Sequence, residues 1–399
     1  MQAFKNITVL DMSQGIAGPV CAAILARQGA RVIKVEPLGG DWMRGTGAAK
    51  EGMPSNVVVG NINKQSIALD VSKPAGREAL LRLAQQADVL VENFRPGVMR
   101  RLGLDYDTVK ALNARIVYCS VTGFGPQGPL SGKAATDSVV QAHTGMAVAN
   151  GIESPPNALG QPPHFTPKRI GIYVPDNISA IYAAQAISAA LFERANTGAG
   201  QHLDISLMQC CAAFQAGPMV DSFLFPDTGM RSAVIAPAGD FQSSDGWMIV
   251  SCLNDEMFQR LAKAVGREEW LRDERFVKNE ARKRNSKEIN AALGEVIATN
   301  TAAHWVRCLE AADVLVSAVN NYATLRDDPQ MQAMQYFGEL EQEPYGKVTV
   351  PHLPGSDSEL RAAPRLGEHT REILHACGLS PAEVEALISQ GIAVQRPIT

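Results

Sequence analysis

The chain has 399 residues, of which 46% are apolar and 20% charged, and its formal net charge is −4. A chain of this length buries a large core without disulfides or metals, so collagen, extended disorder and a small disulfide scaffold are excluded. Its weak acidity argues against nucleic-acid and anionic-membrane partners. The most apolar helical stretch, Ser179 to Phe192, is too short to span a bilayer. We therefore expect a globular protein of about two to three domains.

The first 125 residues alternate between strand-like apolar runs and helix-like amphipathic runs. Such alternation predicts a parallel sheet with right-handed crossovers, a Rossmann-like α/β layer. The pattern predicts strands at 7–11, 31–36, 88–92 and 116–120, and helices at 19–28, 74–87 and 177–194.

The composition changes near Phe225, where short β-like runs and then charged helices begin. We predict a large Rossmann-like domain at 1–225, a smaller α+β domain at 226–325 and a closing C-terminal segment at 326–399. Within the large domain, the Gly- and Pro-rich stretch 123–170 follows the strands, where a ligand crevice is expected.

Seven scattered cysteines without a CxxC pair predict reduced, buried thiols and a cytoplasmic location. The N-terminus leads directly into a strand-like run, so no secretory signal is expected. The histidines form no HxH or HExxH motif, and GxSxG is absent. The sequence therefore predicts neither a metal site nor a serine hydrolase.

The segment Gly15-Ile16-Ala17-Gly18-Pro19 follows a strand and opens a helix, as in a dinucleotide site. The GxGxxG fingerprint is missing, so a nicotinamide-dependent dehydrogenase is disfavoured, while a nucleotide held in another way stays possible. Downstream, Glu92 to Gly97 and the adjacent arginines Arg100 and Arg101 form either a solvated loop or a collar for nucleotide phosphates.

Asp176 stands at the beginning of the predicted apolar helix. One interpretation is an N-cap, in which the carboxylate accepts backbone N–H groups and gains from the helix dipole. The other is a carboxylate nucleophile that attacks a carbonyl carbon and forms a mixed anhydride. The two interpretations are compatible with each other.

Eight short motifs, in order over almost the whole chain, resemble the family III CoA-transferases, the formyl-CoA transferase and carnitine CoA-transferase group. The resemblance implies a Rossmann-like large domain built from both chain ends, a small domain between them, and an interlocked homodimer. The motifs are at Val9–Asp11, Ala17–Pro19, Gly29–Pro37, Gly40–Arg44, Asn63–Asp70, Val91–Gly97, Thr197–Gln201 and Leu366–Thr370.

The resemblance implies that Asp176 is the nucleophile in the transfer of CoA from an acyl-CoA to a carboxylic acid, through an aspartyl anhydride and an aspartyl-CoA thioester. It implies no permanently bound cofactor and no metal. Backbone N–H groups near the Asp176 helix are expected to stabilise oxyanions. CoA contacts carry over to Gln14, Ile16, Ala17, Leu69, Asn93, Phe94, Arg101, Lys133 and Asp137.

This chain departs from the formyl-CoA transferases at several positions. Gln14 stands for a His, Ile16 for a Gln and Pro37 for a basic residue, which changes the expected phosphate contacts. The glycine-rich loop of those enzymes is absent from 236–241, so formyl and oxalate specificity is not supported. Lys168 and Arg169 are either surface charges or partners of a second carboxylate, which would suit a succinyl-type donor and a small organic acid acceptor.

The same fold serves α-methylacyl-CoA racemases, which are the alternative function. Those enzymes carry a His-Asp pair, whereas Thr136 precedes Asp137 here and cannot act as a general base near neutral pH. His143 lies too far along the chain to replace the missing histidine. A non-catalytic CoA-binding scaffold is a third possibility, disfavoured because a scaffold does not need the Asp176 carboxylate.

Overall fold

The computed structural model describes residues 2–154, 164–226, 234–356 and 359–396. The chain divides into two compact units, one comprising Met1–Gly217 with Tyr336–Thr399 and the other comprising Pro218–Gln335. The boundaries expected from composition, 225/226 and 325/326, lie eight and ten residues away from these divisions.

The described residues form strands and α-helices, numbered here in chain order, with short 3-10 helices at Trp42–Gly45 and Glu268–Leu271. The strands are β1 (Thr8–Asp11), β2 (Arg31–Glu36), β3 (Lys64–Leu69), β4 (Val89–Glu92), β5 (Val117–Thr122), β6 (Ile152–Ser154), β7 (His164–Thr166), β8 (Gln201–Ser206), β9 (Ala238–Gln242), β10 (Trp247–Ser251), β11 (Leu315–Ala318), β12 (Phe337–Gln342), β13 (Gly346–Pro351) and β14 (Ala393–Val394). The helices are α1 (Ala17–Arg27), α2 (Ser55–Asn61), α3 (Pro74–Gln86), α4 (Val98–Leu102), α5 (Tyr106–Leu112), α6 (Asp137–His143), α7 (Met146–Ala149), α8 (Val174–Thr197), α9 (Leu207–Phe214), α10 (Ala216–Leu224), α11 (Asp255–Ala264), α12 (Asn279–Arg284), α13 (Ser286–Ile297), α14 (Ala302–Ala311), α15 (Tyr322–Arg326), α16 (Pro329–Ala333), α17 (Thr370–Ala376) and α18 (Pro381–Ser389).

The main sheet of the first unit has the strand order β14-β3-β2-β1-β4-β5-β8. Its strands are parallel except β14, which pairs antiparallel with β3. Successive residues of β1 face opposite helical layers: Val9 packs in one core and Leu10 in the other. Burial on both faces requires apolar runs such as those of β1 and β4. The predicted Rossmann-like parallel sheet is confirmed.

β3 was not predicted, because Lys64 and Ser66 interrupt its apolar character. Both side chains are nevertheless buried. The Lys64 ammonium lies 2.7 Å from a carboxylate oxygen of Asp11 at the end of β1. Ser66 Oγ donates to Glu36 at the end of β2. Partners distant in the chain therefore make these polar strand residues compatible with the interior.

The chain order reverses between β1 and β4, because the chain moves outward from β1 through β2 to β3 and then returns to β4 on the other side. At such a switch point the loops leaving two neighbouring parallel strands diverge and leave a crevice at their carboxyl ends. The loop that follows β1 and the loop that follows β4 both border this crevice.

Helix α8 begins at Val174, three residues before the predicted start, so the N-cap interpretation of Asp176 is wrong. The N-cap position belongs to Tyr173, which makes no side-chain capping bond, and Asp176 lies inside the first turn. The helix ends at Gly198, whose φ of +78° suits glycine.

The C-terminal residues of the first unit include the β12–β13 hairpin and the helices α17 and α18, whose apolar residues Ile373, Leu374 and Leu387 join one of the sheet's two cores. The second unit contains the antiparallel sheet β9–β10–β11 and helices α11 to α14 around a core of its own. No helix among the described residues is both long enough and apolar enough to cross a membrane.

Candidate active site

A cavity of about 670 Å³ opens at the carboxyl ends of the parallel strands in the first unit. This volume falls within the usual range for small-molecule sites. The cavity is lined by the loops after β1, β4 and β5, by the 3-10 helix at Trp42–Gly45 and by the first turns of α1, α6 and α8. Two of its lining residues, Arg95 and Lys133, are cations.

The β1 loop is joined to the β4 loop by two hydrogen bonds. The backbone N–H of Gln14 donates to Asn93 Oδ1 at 2.8 Å, and Asn93 Nδ2 donates to the Gln14 carbonyl at 2.7 Å. An amide side chain fits this role because it both accepts and donates. Both residues line the cavity, so these two hydrogen bonds fix the relative position of two of its walls.

Helix α1 begins at the cavity with Ala17. The N–H groups of Ile16, Ala17 and Gly18 donate to no acceptor among the described residues. Gly18 allows a close approach, since a Cβ there would overlap Ser13. Free N–H groups at a helix start favour anions, including phosphates and oxyanions.

Two carboxylates, Asp137 and Asp176, lie together in the cavity although 39 residues separate them in the chain. The N–H of Asp176 donates to Asp137 Oδ2 at 3.3 Å. Gln141 Nε2 donates to Asp137 Oδ1 at 2.7 Å, and Gln141 Oε1 accepts the Ile170 N–H. Asp137 is thereby held in place, whereas the Asp176 carboxylate has no hydrogen bond or ion pair with any described residue.

Burial and the neighbouring charge of Asp137 raise the pKa of Asp176 to about 7. Burial also raises the pKa of Asp137, against the hydrogen bonds it accepts and the positive charge of Arg169. Facing carboxylates cannot both ionise easily, and they titrate as a pair. Asp176 is therefore a carboxylate that is poorly stabilised when charged, which favours its use as a nucleophile near neutral pH.

The first three residues of α8 offer no free N–H group among the described residues. Val174 N–H donates to the Ile172 carbonyl, Pro175 has no N–H, and Asp176 N–H is bonded to Asp137. The start of α1, with its free N–H groups, offers the donors that α8 lacks.

Eight of the ten predicted site residues line the cavity, and Leu69 and Arg101 do not. Leu69 is 1% exposed and packs in a hydrophobic core, so its side chain does not face the cavity. Arg101 is exposed on α4, beside Gly97. The cavity residues are Gln14, Ile16, Ala17, Asn93, Phe94, Lys133, Asp137 and Asp176.

Several lining residues were not singled out from the sequence, among them Trp42, Met43, Thr46, Arg95 and Tyr173. For Trp42 and Met43, the motif at Gly40–Arg44 was the only sequence signal. Tyr173 could have been found from its position before the Asp176 helix. Arg95 belonged to a segment with two open interpretations.

Lys168 and Arg169 are exposed and do not line this cavity, although Arg169 lies close enough to act on Asp137. Thr136 lines the cavity, whereas His143 does not and is exposed. Across the described residues, no group of three His, Cys, Asp or Glu side chains is arranged to hold a metal ion.

The family model described as CoA-transferase family III matches residues 4–370. The chain belongs to this family, and the protein is a CoA-transferase whose substrates are CoA thioesters.

This chain is also similar to curated CoA-transferases and to a solved structure of a CAIB/BAIF family protein. The acetyl-CoA:oxalate CoA-transferase of Acetobacter aceti is 33% identical over 83% of this chain and 84% of its own length. The succinate–glutarate CoA-transferase of Agrobacterium fabrum is 32% identical, covering 93% and 94%. A crystal structure of a CAIB/BAIF family protein from Brucella suis superposes with a TM-score of 0.81 at 31% identity, covering 94% of this chain and 99% of that one.

Proposed function

We propose that this CoA-transferase works by covalent catalysis at Asp176, with an acyl-CoA donor and a carboxylic acid acceptor bound in the described cavity. The observation that carries the proposal is the Asp176 carboxylate, which lines the cavity without a hydrogen bond or ion pair to any described residue. Its raised pKa of about 7 leaves a reactive anion at neutral pH.

The reaction begins when Asp176 attacks the thioester carbonyl carbon. A C–O bond forms, the C–S bond breaks, and CoA leaves as a thiolate. The thiolate then attacks the aspartyl carbonyl, which releases the donor acid as a carboxylate and leaves an aspartyl-CoA thioester. The acceptor carboxylate attacks this thioester, and the released thiolate takes the acceptor acyl group from the new anhydride, which regenerates Asp176. Each step exchanges one acyl bond for another.

The free N–H groups of Ile16 and Ala17 stabilise the tetrahedral oxyanions in this mechanism. Gln14, Asn93 and Phe94 hold the CoA portion. Binding energy collected along CoA, away from the reacting carbon, keeps the thioester beside Asp176.

The cations of the site suit the CoA phosphates. Lys133 and Arg95 line the cavity, while exposed Arg101 lies on α4, which follows the β4 loop. A guanidinium binds phosphate oxygens in a planar fork, so Arg101 is assigned to a phosphate outside the cavity. Leu69 is assigned no side-chain contact because it is buried.

The substrates in this proposal are a succinyl-type donor and a small dicarboxylic acceptor. Arg169 supports this assignment because its charge acts on Asp137 in the cavity. The name of the Agrobacterium relative, which pairs succinate with glutarate, supports it independently. Arg169→Ala should raise the KM of the dicarboxylic acceptor, and Lys168→Ala serves as the matched control. An unchanged KM in Arg169→Ala would remove this residue from the assignment.

The proposal includes a homodimer with interlocked chains. In support, the first unit exposes large apolar side chains at Ile181 and Phe192 on α8 and at Phe214 on α9. Large apolar side chains left exposed are candidates for an association surface. Light scattering after size exclusion should give the mass of two chains, and the mass of one chain would contradict it.

Hydroxylamine trapping tests the mechanism. The protein is incubated with acetyl-, propionyl- and succinyl-CoA, treated with hydroxylamine and mapped by mass spectrometry. We expect a hydroxamate on Asp176, most abundant with succinyl-CoA. The hydroxamate should be absent from Asp176→Asn and retained in Asp204→Asn, where an exposed carboxylate is changed. If no adduct forms while a 2-methylacyl-CoA takes up solvent deuterium at its α-carbon, the racemase alternative replaces the transferase mechanism.

A further inference from the structure

A connected group of six charged side chains is buried beside the cavity walls in the first unit. The least buried of them, Arg44, is 9% exposed. Three carboxylates are balanced by three cations, so the group is formally neutral. Its members are Asp11, Lys34, Glu36, Asp41, Arg44 and Lys64.

Two lysines join the carboxylates of this group. Lys64 Nζ lies 2.7 Å from Asp11 Oδ2. Lys34 Nζ lies 3.3 Å from Asp41 Oδ2 and 3.7 Å from Asp11 Oδ2. The carboxylates around Lys34 raise its pKa although burial alone would lower it, so this lysine is a cation in the folded protein.

Arg44 completes the group through Glu36. Its Nε and Nη2 donate to the two oxygens of Glu36 at 2.7 and 2.8 Å, which is a two-point charge-assisted pair. Glu36 Oε2 also accepts the backbone N–H of Asp41 at 3.0 Å. Asp41 is thus fixed through its backbone as well as through its side chain.

Asp41 is the member that touches the cavity walls. The N–H of Gly15 donates to both Asp41 oxygens at 3.1 Å, and the N–H of Met43 donates to Oδ1 at 2.9 Å. Gly15 and Met43 both line the cavity, from two different segments. One carboxylate therefore ties the β1 loop to the 3-10 helix at Trp42–Gly45.

Two further contacts hold the β1 loop in place. Lys34 Nζ donates to the carbonyl of Ser13, at the beginning of the β1 loop. The ring of Trp42 packs over Gly15 so closely that a Cβ at Gly15 would lie 2.7 Å from Trp42 Cζ2. Because Gly15 has a φ of +80°, any other L-residue there would strain the loop and meet the ring.

We propose that Asp41 is a positioning residue for CoA binding. Its carboxylate is held by Lys34 and in turn holds Gly15 and Met43, so that the two cavity walls keep the spacing that CoA binding needs. This inference rests on the proposed function, since it requires that the cavity binds CoA. A charged carboxylate suits the role because charge-assisted bonds to N–H groups are stronger than neutral ones. Preformed walls reduce the ordering cost of binding.

The test compares Asp41→Asn with Asp88→Asn. Asp88 is a matched control, because it also accepts a backbone N–H, from Thr8, and pairs with a cation, Arg194, but does not line the cavity. We expect Asp41→Asn to weaken CoA binding about tenfold by calorimetry, while kcat at saturating acyl-CoA changes less than about threefold. Asp88→Asn should bind CoA like the wild type even if its Tm falls.

Hydrogen exchange of residues 13–18 gives a readout that does not need CoA. Asp41→Asn should speed exchange of the Gly15 amide, and Asp88→Asn should not. Gly15→Ala provides a second variant that keeps all six charges, so it tests the spacing of the walls even if Asp41→Asn does not fold. It should also raise the Kd for CoA.

Equal CoA affinity in Asp41→Asn, Gly15→Ala and the wild type would overturn the proposal, as would a loss of kcat without a change in Kd. If the wild type bound no CoA, both this inference and the proposed function would fall. If it bound CoA but formed no adduct at Asp176, only the proposed mechanism would fall, and the effect on Kd would still decide the role of Asp41.

Discussion

Two sets of carboxylates in the first unit have opposite electrostatic surroundings. Asp11 and Glu36 lie 2.7 Å from Lys64 and Arg44 respectively. The charges of Lys34 and Lys64 lower the pKa of Asp11, and the hydrogen bonds and charge of Arg44 lower the pKa of Glu36, despite the cost of burial. Asp176 lies beside another carboxylate, and its pKa is raised. All three side chains are carboxylates, so their surroundings decide whether the charge is stabilised.

The comparison between the Asp11 network and Asp176 separates two uses of a carboxylate charge. Where a cation compensates the carboxylate, desolvation is offset and the pair fixes geometry. Where compensation is absent, the anion keeps its capacity to form a bond with an electrophile. The network around Asp11 belongs to the first kind, and the proposed mechanism assigns Asp176 to the second.

The largest expected effect follows from removing the uncompensated anion. Asp176→Asn keeps the size of the side chain but removes the proposed nucleophile, so turnover should fall about 10³-fold or more. CoA binding should stay within about threefold, because the amide occupies the same space. Steady-state kinetics and calorimetry measure the two quantities. A variant that retained a tenth of wild-type activity would show that Asp176 does not form the covalent bond.

Breaking an ion pair of the network around Asp11 should lower the stability of the fold, in contrast to Asp176→Asn, which should lower turnover. Asp11→Asn leaves Lys64 and Lys34 buried with less opposing charge, so the free energy of unfolding should fall by about 3–5 kcal/mol. Asp88→Asn breaks the more exposed pair with Arg194 and should cost about 1 kcal/mol. Urea denaturation measures both. Equal losses would mean that the buried network contributes no more than a peripheral ion pair.

The sequence predicted the fold well where each element depends on its own residues. β1, β4 and β5 are largely apolar runs that are buried on both faces, and their type follows from composition. β2 was predicted from its valines and isoleucine although it also contains the buried Lys34 and Glu36. β3 was missed because its charged Lys64 is made compatible with the interior by Asp11, 53 residues away in the chain. A local pattern cannot reveal such a partner.

The site was predictable to the extent that motifs marked it. Eight of the ten expected residues line the cavity, and most belong to segments singled out from the sequence. The proximity of Asp137 to Asp176 arises from tertiary packing, which placed their segments in contact. The free N–H groups at the start of α1 were missed because backbone satisfaction depends on which acceptors fold nearby.

The pH dependence of the first chemical step should report the pKa of Asp176. In the proposed mechanism the ionised form is the nucleophile, and the pKa is about 7, so activity should be present above that pH and lost as the pH falls through it. Release of CoA in a single turnover should therefore rise about tenfold between pH 6 and pH 8. Stopped-flow thiol detection measures it. A flat profile would mean that the reacting carboxylate is fully ionised at pH 6.

The smallest expected effect separates the two causes of the raised pKa. Asp137→Asn removes the like charge but leaves the burial of Asp176, which is the larger cause. The midpoint of the single-turnover profile should move to lower pH, by up to about one unit. Asp204→Asn should leave the midpoint unchanged, since its exposed carboxylate is not among the causes of the shift at Asp176. A midpoint that stayed in place in Asp137→Asn would assign the shift to burial alone, and a midpoint that rose would contradict the raising effect of the Asp137 charge.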